Sequence, residues 1–406
     1  MAIDKVIEVP YALEIPVGPQ HPALHEPLLL KAYADGEEVV KVEVHTGYNH
    51  RGIEKLAEKN SFYRDIFIVS RVCGICNGVH ANCYVRAVEQ ILGMEPSPRA
   101  KYLRVLAMEL ERIHSHMLIN AVMAEIIGFE SLFMSIMRDR EYIMKSKEIV
   151  TGNRVSADYM IFGGVRRDLN SEKIDKLKKL IDRVVPRIQY YKKLFMEDET
   201  ILKRLVGVGV VKPNEATLYG LLGPVARASG IKIDVRASDR YDAYDEIPFN
   251  VIVRDECDAW ARMMVRWDEA LESAEMIKYI LDHLPQDNKA VPDERRLPRR
   301  FPPGEAYARV EAPRGELVYY VMSDGKPMPY RVKIRTPSVH NILNTAKFYV
   351  GYTIADLPVI LTSWDPCISC MERLTIIDLK TGTRKKISMK ELAGGGRRWV
   401  SPRYSL

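Results

Sequence analysis

Two segments decide the fold of this chain: Arg71-Val-Cys73-Gly-Ile-Cys76-Asn-Gly-Val-His80 and Asp365-Pro-Cys367-Ile-Ser-Cys370-Met-Glu-Arg373. Each contains a Cys-x-x-Cys pair, and 290 residues separate Cys76 from Cys367. Two such pairs can place four thiolates on one centre, and thiolates select zinc, nickel, copper(I) or iron–sulfur centres over hard cations. The spacing predicts a metal site that joins the early and late parts of the fold.

Two other roles of a Cys-x-x-Cys pair fit this spacing less well. A structural zinc site usually has its pairs about 15–20 residues apart within one small ribbon. A thioredoxin-like redox pair needs one motif beside a βαβ unit. A non-catalytic scaffold that holds zinc remains an alternative at this stage.

The first motif suggests a local arrangement of its side chains. If a helix begins there, Cys73, Cys76, His80 and Cys83 share roughly one face, and the helix N-terminus favours thiolate over thiol. We then expect His80 to donate to a metal-binding cysteine rather than to be a fifth ligand. Cys83 is expected to be a small buried residue. Asp365, ahead of the second pair, can bond backbone or a cation, or simply cap a turn.

The remaining sequence predicts an α+β fold, a long-helix bundle with β structure near both ends. Strands are predicted at Leu28–Tyr33 and Val39–His45, and again at Tyr307–Glu311, Glu316–Met322 and Tyr330–Ile334. Long helices are predicted at Arg99–Phe129, Glu130–Ile149, Ser171–Glu197 and Asp255–Leu284. We divide the chain into an N-terminal β region (1–50), a helical core with late β segments (51–373) and a basic C-terminal tail (374–406).

Composition excludes several classes of protein. The net charge is +6, but residues 374–406 hold eight basic and two acidic side chains, so residues 1–373 carry 52 of each sign. A neutral body gives no reason to expect nucleic acid as a partner. Six cysteines in 406 residues are too few for a disulfide scaffold. No signal peptide or spanning segment is visible, so a cytoplasmic setting is expected, with any membrane attachment supplied by partners.

The two cysteine motifs together resemble the signatures of the large catalytic subunit of nickel–iron hydrogenases, and the resemblance covers the chain up to Arg373. Other segments resemble the membrane-bound, energy-converting group, namely Gly18–Pro27, Gly47–Glu54, Glu111–His116 and Glu311–Glu316. That group is related to the quinone-site large subunit of respiratory complex I, the NADH-quinone oxidoreductase. The complex I protein shares the Gly-Pro-Gln-His-Pro and Pro-Arg-Gly-Glu segments but lacks the cysteine pairs, so the four cysteines here favour hydrogenase.

The resemblance implies a metal-binding role for each cysteine. Cys73 and Cys367 match terminal thiolates on nickel. Cys76 and Cys370 match thiolates that bridge nickel to an iron carrying carbon monoxide and cyanide, the NiFe(CN)2CO centre. Glu54 is a weaker match to an outer carboxylate, and with it comes an expected outer magnesium ion.

The resemblance also assigns three groups around the metals. Glu26 matches the glutamate that relays protons, Arg314 the arginine over the open side of the metal pair, and Asp365 the carboxylate that holds this arginine. Splitting weakly acidic H2 needs a metal to polarise it and a base to take the proton, and an arginine can stabilise developing charge. On the residues alone, Glu26 also fits a surface position at a strand start, and Arg314 a structural ion pair.

One departure from the pattern lies in the Glu111–His116 segment. Ser115 stands where many soluble hydrogenases have an aspartate, which weakens the expected network around Arg314. His114 and His116 face different ways on a helix, so at most one should line the site.

The expected partners and location follow from the same resemblance. Only Cys83 and Cys257 remain after the four site cysteines, so no iron–sulfur motif is left. Electrons would pass through a small iron–sulfur subunit with ferredoxin as donor, and membrane-embedded ion-translocating subunits would hold the chain peripherally at the cytoplasmic face of the membrane. In this family a protease removes the tail once nickel is loaded, here after Arg373. A retained tail would instead suit a relative that reduces sulfur, polysulfide or quinone without a functional nickel–iron site.

Overall fold

The computed structural model describes residues 12–22, 24, 26–286, 289–293 and 297–371, with two short strands at 376–377 and 384–385. Arg373, the expected processing point, lies outside the described residues, as does most of the tail. Within them the predicted α+β class is confirmed.

An antiparallel sheet of order β1-β2-β3 begins the described chain, formed by β1 (Leu13–Val17), β2 (Leu29–Asp35) and β3 (Glu38–His45). The strands predicted at Leu28–Tyr33 and Val39–His45 are confirmed as β2 and β3. Gly36 takes a positive φ of 60° in the turn that pairs Asp35 with Glu38, a conformation that glycine adopts without strain. Alternate side chains of β2 are buried and form one wall of a core.

Helices follow, with α1 at Ile53–Ala57, α2 at Phe62–Ser70, α3 at Asn77–Leu92, α4 at Pro98–Ile126 and α5 at Glu130–Thr151. The Ser97 hydroxyl caps α4 by accepting from Ala100 N, and Pro98 occupies its first position. The helix considered for the first cysteine motif begins at Asn77. Cys76 is the N-cap of α3, so Cys73 lies in the preceding loop.

The middle of the chain contains a small hairpin and six helices among the described residues. These elements are β4 (Met160–Ile161), β5 (Gly164–Val165), α6 (Ser171–Glu197), α7 (Glu199–Leu205), α8 (Pro213–Leu218), α9 (Gly223–Arg227), α10 (Val235–Ser238) and α11 (Ala259–His283). Helices α4, α5, α6 and α11 pack against one another as the predicted bundle. On α6 the buried residues recur every three or four positions, from Leu177 to Phe195.

A second antiparallel sheet, of order β6-β7-β8, comprises β6 (Gly304–Ala312), β7 (Gly315–Ser323) and β8 (Arg331–Arg335). The chain continues through α12 (Pro337–Leu343), α13 (Leu357–Ser363) and the paired strands β9 (Ile376–Ile377) and β10 (Arg384–Lys385). In this part of the described chain, 3-10 turns lie at Ala346–Tyr349, Ile354–Asp356 and Ile368–Cys370.

Two hydrophobic cores meet at the cysteines. The larger fills the helix bundle and the space between α3 and the inner face of β6 and β7, and it includes all four motif cysteines. The smaller lies between the first sheet and the C-terminal segments, and it includes Trp364 and Ile368. No helix among the described residues is long and apolar enough to cross a membrane.

Candidate metal centre

The structure brings both Cys-x-x-Cys pairs into one buried cluster. Cys367 Sγ lies 3.2 Å from Cys73 Sγ and 2.9 Å from Cys370 Sγ. The sulfurs of Cys73, Cys76 and Cys370 all lie within 4.8 Å of one another. Each of the four side chains is at most 6% exposed. The predicted meeting of two motifs 290 residues apart is thus seen in the geometry.

The donor set of this cluster fits a soft metal centre. Hydrogen bonds from the other cysteines, Cys367 foremost, hold the pKa of Cys73 well below its usual value, whereas burial raises the pKa of Cys370 well above it. A bound cation would displace the thiol protons, because it is the thiolate that binds a metal.

The first cysteine loop is held by side chains on α3, α4 and α5 and by the segment that follows α5. Asn77 donates to Gly74 O and Val155 O and accepts from Ala157 N. The Glu111 carboxylate accepts from Gly78 N at 3.1 Å and Val79 N at 2.9 Å, at the start of α3. Lys147 Nζ lies 3.5 Å from this buried carboxylate. These contacts fix the helix end on which Cys76 sits.

The second cysteine loop is held from α12. Ser338 Oγ accepts from Cys367 N at 3.1 Å, and Thr336 Oγ1 donates to Cys370 O at 2.9 Å. Both hydroxyl residues are buried. They position the second pair through its backbone and leave the sulfurs free for a metal.

Arg51 joins the two loops. Its guanidinium donates to Arg71 O at 2.7 Å and Val72 O at 2.8 Å before the first pair, and to Ser369 O at 3.1 Å within the second. The planar fork of an arginine suits several carbonyl acceptors at once. Arg51 was not singled out from the sequence, because its contacts exist only in the folded chain.

His80 lies where the first motif suggested. Its Nε2 atom is 3.7 Å from Cys370 Sγ and its Nδ1 atom 2.7 Å from the Tyr319 hydroxyl. Burial lowers the pKa of His80 to about 4, so the imidazole is neutral at physiological pH. Cys83 points away from the cluster and donates to Ala308 O, as expected of a buried structural residue.

Glu26 contacts the backbone between the second pair of cysteines. Its Oε2 atom accepts from Ile368 N at 2.6 Å and Ser369 N at 3.2 Å, and Oε1 accepts from the Ser369 hydroxyl. The side chain is half-buried. It therefore lies beside the backbone between Cys367 and Cys370, with part of its surface open to solvent.

Arg314 and Asp365 form a buried ion pair, with Arg314 Nη2 2.6 Å from Asp365 Oδ1. Arg314 Nε also donates to Asp365 O at 2.9 Å. Arg314 Nη1 donates to Ser115 Oγ at 3.2 Å, so the serine remains part of the network that its presence was expected to weaken. Burial opposes the charge of Arg314, but Asp365 and then the cysteines raise its pKa well above the usual value.

A close crossing of two glycines sets the position of Arg314. A Cβ atom on Gly223 would lie 2.4 Å from Arg314 O, and one on Gly315 would lie 2.8 Å from Gly223 N. Both glycines also have positive φ, at 64° and 126°. Only glycine fits there, which explains the glycine that follows Arg314.

The two histidines of α4 are structural. His114 accepts from Arg140 Nε at 2.9 Å, and His116 Nε2 lies 2.9 Å from Glu269 Oε2. Neither contacts a motif cysteine among the described hydrogen bonds. Glu54 is ion-paired with Arg331 at 2.9 Å and accepts from Ile334 N. This pairing occupies the carboxylate that was expected to approach an outer magnesium ion.

A largely apolar cavity of about 320 Å³ adjoins the cluster. Its polar lining is Glu26, Arg314, Thr362 and Asp365, and its apolar wall includes Ile75, Leu118, Val122, Phe133 and Met137. The arrangement can hold a small apolar ligand beside a carboxylate and a guanidinium, against Ile75, Pro366 and Ile368, which are sequence neighbours of the motif cysteines. The apolar walls of the cavity screen the charges in its lining less than bulk water would.

Comparisons with known proteins agree with this geometry. The sequence-family model of the 49-kDa subunit of respiratory-chain NADH dehydrogenase matches residues 127–301 and 295–373. The sequence-family model of the nickel-dependent hydrogenases matches residues 51–120. The carbon monoxide-induced hydrogenase of Rhodospirillum rubrum is 43% identical over 88% of this chain and 99% of that protein. The membrane-bound hydrogenase subunit alpha of Pyrococcus furiosus is 37% identical over 95% and 92%.

A solved structure shows the same fold. A chain of the membrane-bound sulfane sulfur reductase, an archaeal respiratory membrane complex, superposes with a TM-score of 0.84 at 35% identity, covering 89% of this chain and 98% of that one.

Proposed function

The chain belongs to the family that contains the nickel-dependent hydrogenases and the 49-kDa subunit of respiratory-chain NADH dehydrogenase, and from this membership we propose that it is the catalytic large subunit of a ferredoxin-linked, membrane-bound, energy-converting nickel–iron hydrogenase. The chain is an oxidoreductase. The proposed reaction interconverts H2 with protons and electrons. One observation carries the proposal, the convergence of four buried thiols beside Arg314 and Glu26.

Each group of residues in the site would have its own role in the proposed reaction. Cys73, Cys76, Cys367 and Cys370 would hold a nickel–iron centre, which supplies redox chemistry and polarises H2 when bound. Glu26 would take and return the proton at its carboxylate. Arg314, fixed by Asp365, would stabilise negative charge next to the thiolates.

Partners must complete such an enzyme. The sequence keeps no iron–sulfur motif once the four cysteines are used. We therefore propose a small iron–sulfur subunit for electron transfer, ferredoxin as donor, and membrane-embedded ion-translocating subunits that hold the chain at the cytoplasmic face of the membrane.

Reduction of a sulfur compound is the second candidate. The similarity to the sulfane sulfur reductase chain supports it, and so does the cavity, because about 320 Å³ exceeds what H2 needs. The complete thiol cluster supports hydrogenase instead.

Metal analysis and infrared spectroscopy of the purified complex test the proposal. We expect nickel and iron near one per chain, together with bands from carbon monoxide and cyanide. Zinc alone, or no metal, would refute the hydrogenase assignment. Cys367→Ser should remove nickel and prevent loss of the 33 residues after Arg373, as read by intact mass, whereas Cys257→Ser should leave both unchanged.

A further inference from the structure

The ring nitrogen of His80 that faces away from the cysteines has a specific partner on β7. We infer that Tyr319 is a positioning residue whose hydroxyl donates to His80 Nδ1 and so fixes the imidazole tautomer that presents Nε2–H to the Cys370 sulfur. The inference rests on the proposed function in one respect, since it takes Cys370 to bind a metal as thiolate.

The buried side chains of Cys370, His80 and Tyr319 form a chain of two hydrogen bonds. Cys370 Sγ lies 3.7 Å from His80 Nε2, within hydrogen-bond reach of a sulfur acceptor, and His80 Nδ1 lies 2.7 Å from the Tyr319 hydroxyl. His80 is 1% exposed and Tyr319 is fully buried. No other hydrogen-bond partner of the Tyr319 hydroxyl is found among the described residues.

The direction of the two hydrogen bonds follows from the inventory of donors. A neutral imidazole has one N–H and one lone pair. A thiolate can only accept, so Nε2 must carry the hydrogen, and the Nδ1 lone pair then needs a donor. The Tyr319 hydroxyl is the donor within reach. The opposite tautomer would place the Nε2 lone pair against the lone pairs of the sulfur.

The sheet makes Tyr319 a rigid donor. It lies in the middle strand, where its backbone pairs with Ala308 on β6 and Ile334 on β8. Its neighbours on the inner face of β7, Leu317 and Val321, are aliphatic and fully buried. The Tyr319 hydroxyl therefore reaches His80 from an apolar surface that packs on α3.

Replacing Tyr319 by phenylalanine removes this hydroxyl alone. The matched control is Tyr320→Phe, because Tyr320 lies on the outer face of β7 and its hydroxyl bonds Glu305. In the purified complex we expect Tyr319→Phe to keep its nickel, to shift the infrared carbon monoxide and cyanide bands, and to lower H2 evolution about fivefold, the factor for one hydrogen bond of about 1 kcal/mol. Tyr320→Phe should match the wild type in all three. Unshifted bands in Tyr319→Phe would overturn the inference.

A double-mutant cycle separates positioning from simple packing. His80→Leu removes both nitrogens, so adding Tyr319→Phe to it should move the bands no further. Equal band shifts by Tyr319→Phe in the presence and absence of the imidazole would contradict the inferred role.

Cobalt distinguishes this inference from the proposed function. The isolated full-length chain is loaded with Co²⁺ alone, and its thiolate-to-cobalt charge-transfer absorption is recorded. A shift of this absorption in Tyr319→Phe but not in Tyr320→Phe supports the hydrogen bonds from Tyr319 through His80 to Cys370, even if the native complex proves to lack nickel. An unmoved absorption overturns the inference while leaving the nickel assignment standing.

Discussion

Arg314 Nη2 lies 2.6 Å from Asp365 Oδ1 with both side chains buried, so the turn after β6 is tied to the second cysteine loop by a pair of opposite charges. Asp365 has a positive φ of 54°, a conformation that is costly outside glycine. Arg266 Nε lies 3.7 Å from the other carboxylate oxygen. Two buried cations therefore depend on one carboxylate.

Asp365→Asn should destabilise the chain more than an ordinary surface change. Removing the charge leaves Arg314 and Arg266 without their shared carboxylate, and breaking a buried pair costs about 3–5 kcal/mol. The measurement is urea unfolding of the full-length chain. Glu141→Gln, which breaks only the exposed pair with Arg154, is the control, with an expected loss under about 1 kcal/mol. Similar losses in the two variants would contradict the prediction.

Arg51→Lys should loosen the two cysteine loops while keeping the charge. A lysine ammonium cannot serve the carbonyls of Arg71, Val72 and Ser369 with the geometry of a guanidinium. We expect a loss of about 1–3 kcal/mol in the free energy of unfolding and a lower nickel content in the purified complex. Arg154→Lys is the matched exposed control. Full nickel content and unchanged unfolding of Arg51→Lys would show that the bridge is dispensable.

Much of the architecture could be predicted because its signals are local. Helix α6 is defined by the regular spacing of its apolar residues, and α4 by the serine and proline at its start. Strand β7 is defined by the alternation of buried and partly exposed residues. The exact start of α3 could not be predicted, since the backbone around Cys73 is set by Asn77 and Glu111 rather than by helix propensity. Arg51 and Tyr319 could not be found from the sequence, because each acts through residues hundreds of positions away or on another element.

Glu26→Gln tests the proposed proton transfer. The amide keeps the shape of the side chain and can still accept from Ile368 N and Ser369 N, but it cannot take a proton. We expect H2 evolution to fall about 100-fold or more with nickel content and infrared bands close to those of the wild type. Glu43→Gln, a change at a carboxylate that bonds Lys41 on the first sheet, should have no effect on turnover. Wild-type turnover in Glu26→Gln would exclude this carboxylate as the relay.

Asp65 should make stability depend on pH. It is fully buried on α2, the Tyr84 hydroxyl is 3.4 Å from Oδ2, and Oδ1 has no partner among the described groups. Burial raises the pKa of Asp65 to about 8 from an ordinary value of 3.8. Between these two pKa values the folded chain keeps a proton that the unfolded chain has lost, so the contribution of Asp65 to stability is full below about pH 4 and falls as the pH rises towards about 8.

The variant Asp65→Asn removes this pH dependence. Its free energy of unfolding relative to that of the wild type should rise from about pH 5 to about pH 8.5 in urea titrations. The control is Asp175→Asn, at an exposed position of α6, whose free energy of unfolding should differ from that of the wild type by the same amount at both pH values. If the difference for Asp65→Asn is also independent of pH, the buried carboxyl is ionised in the folded chain.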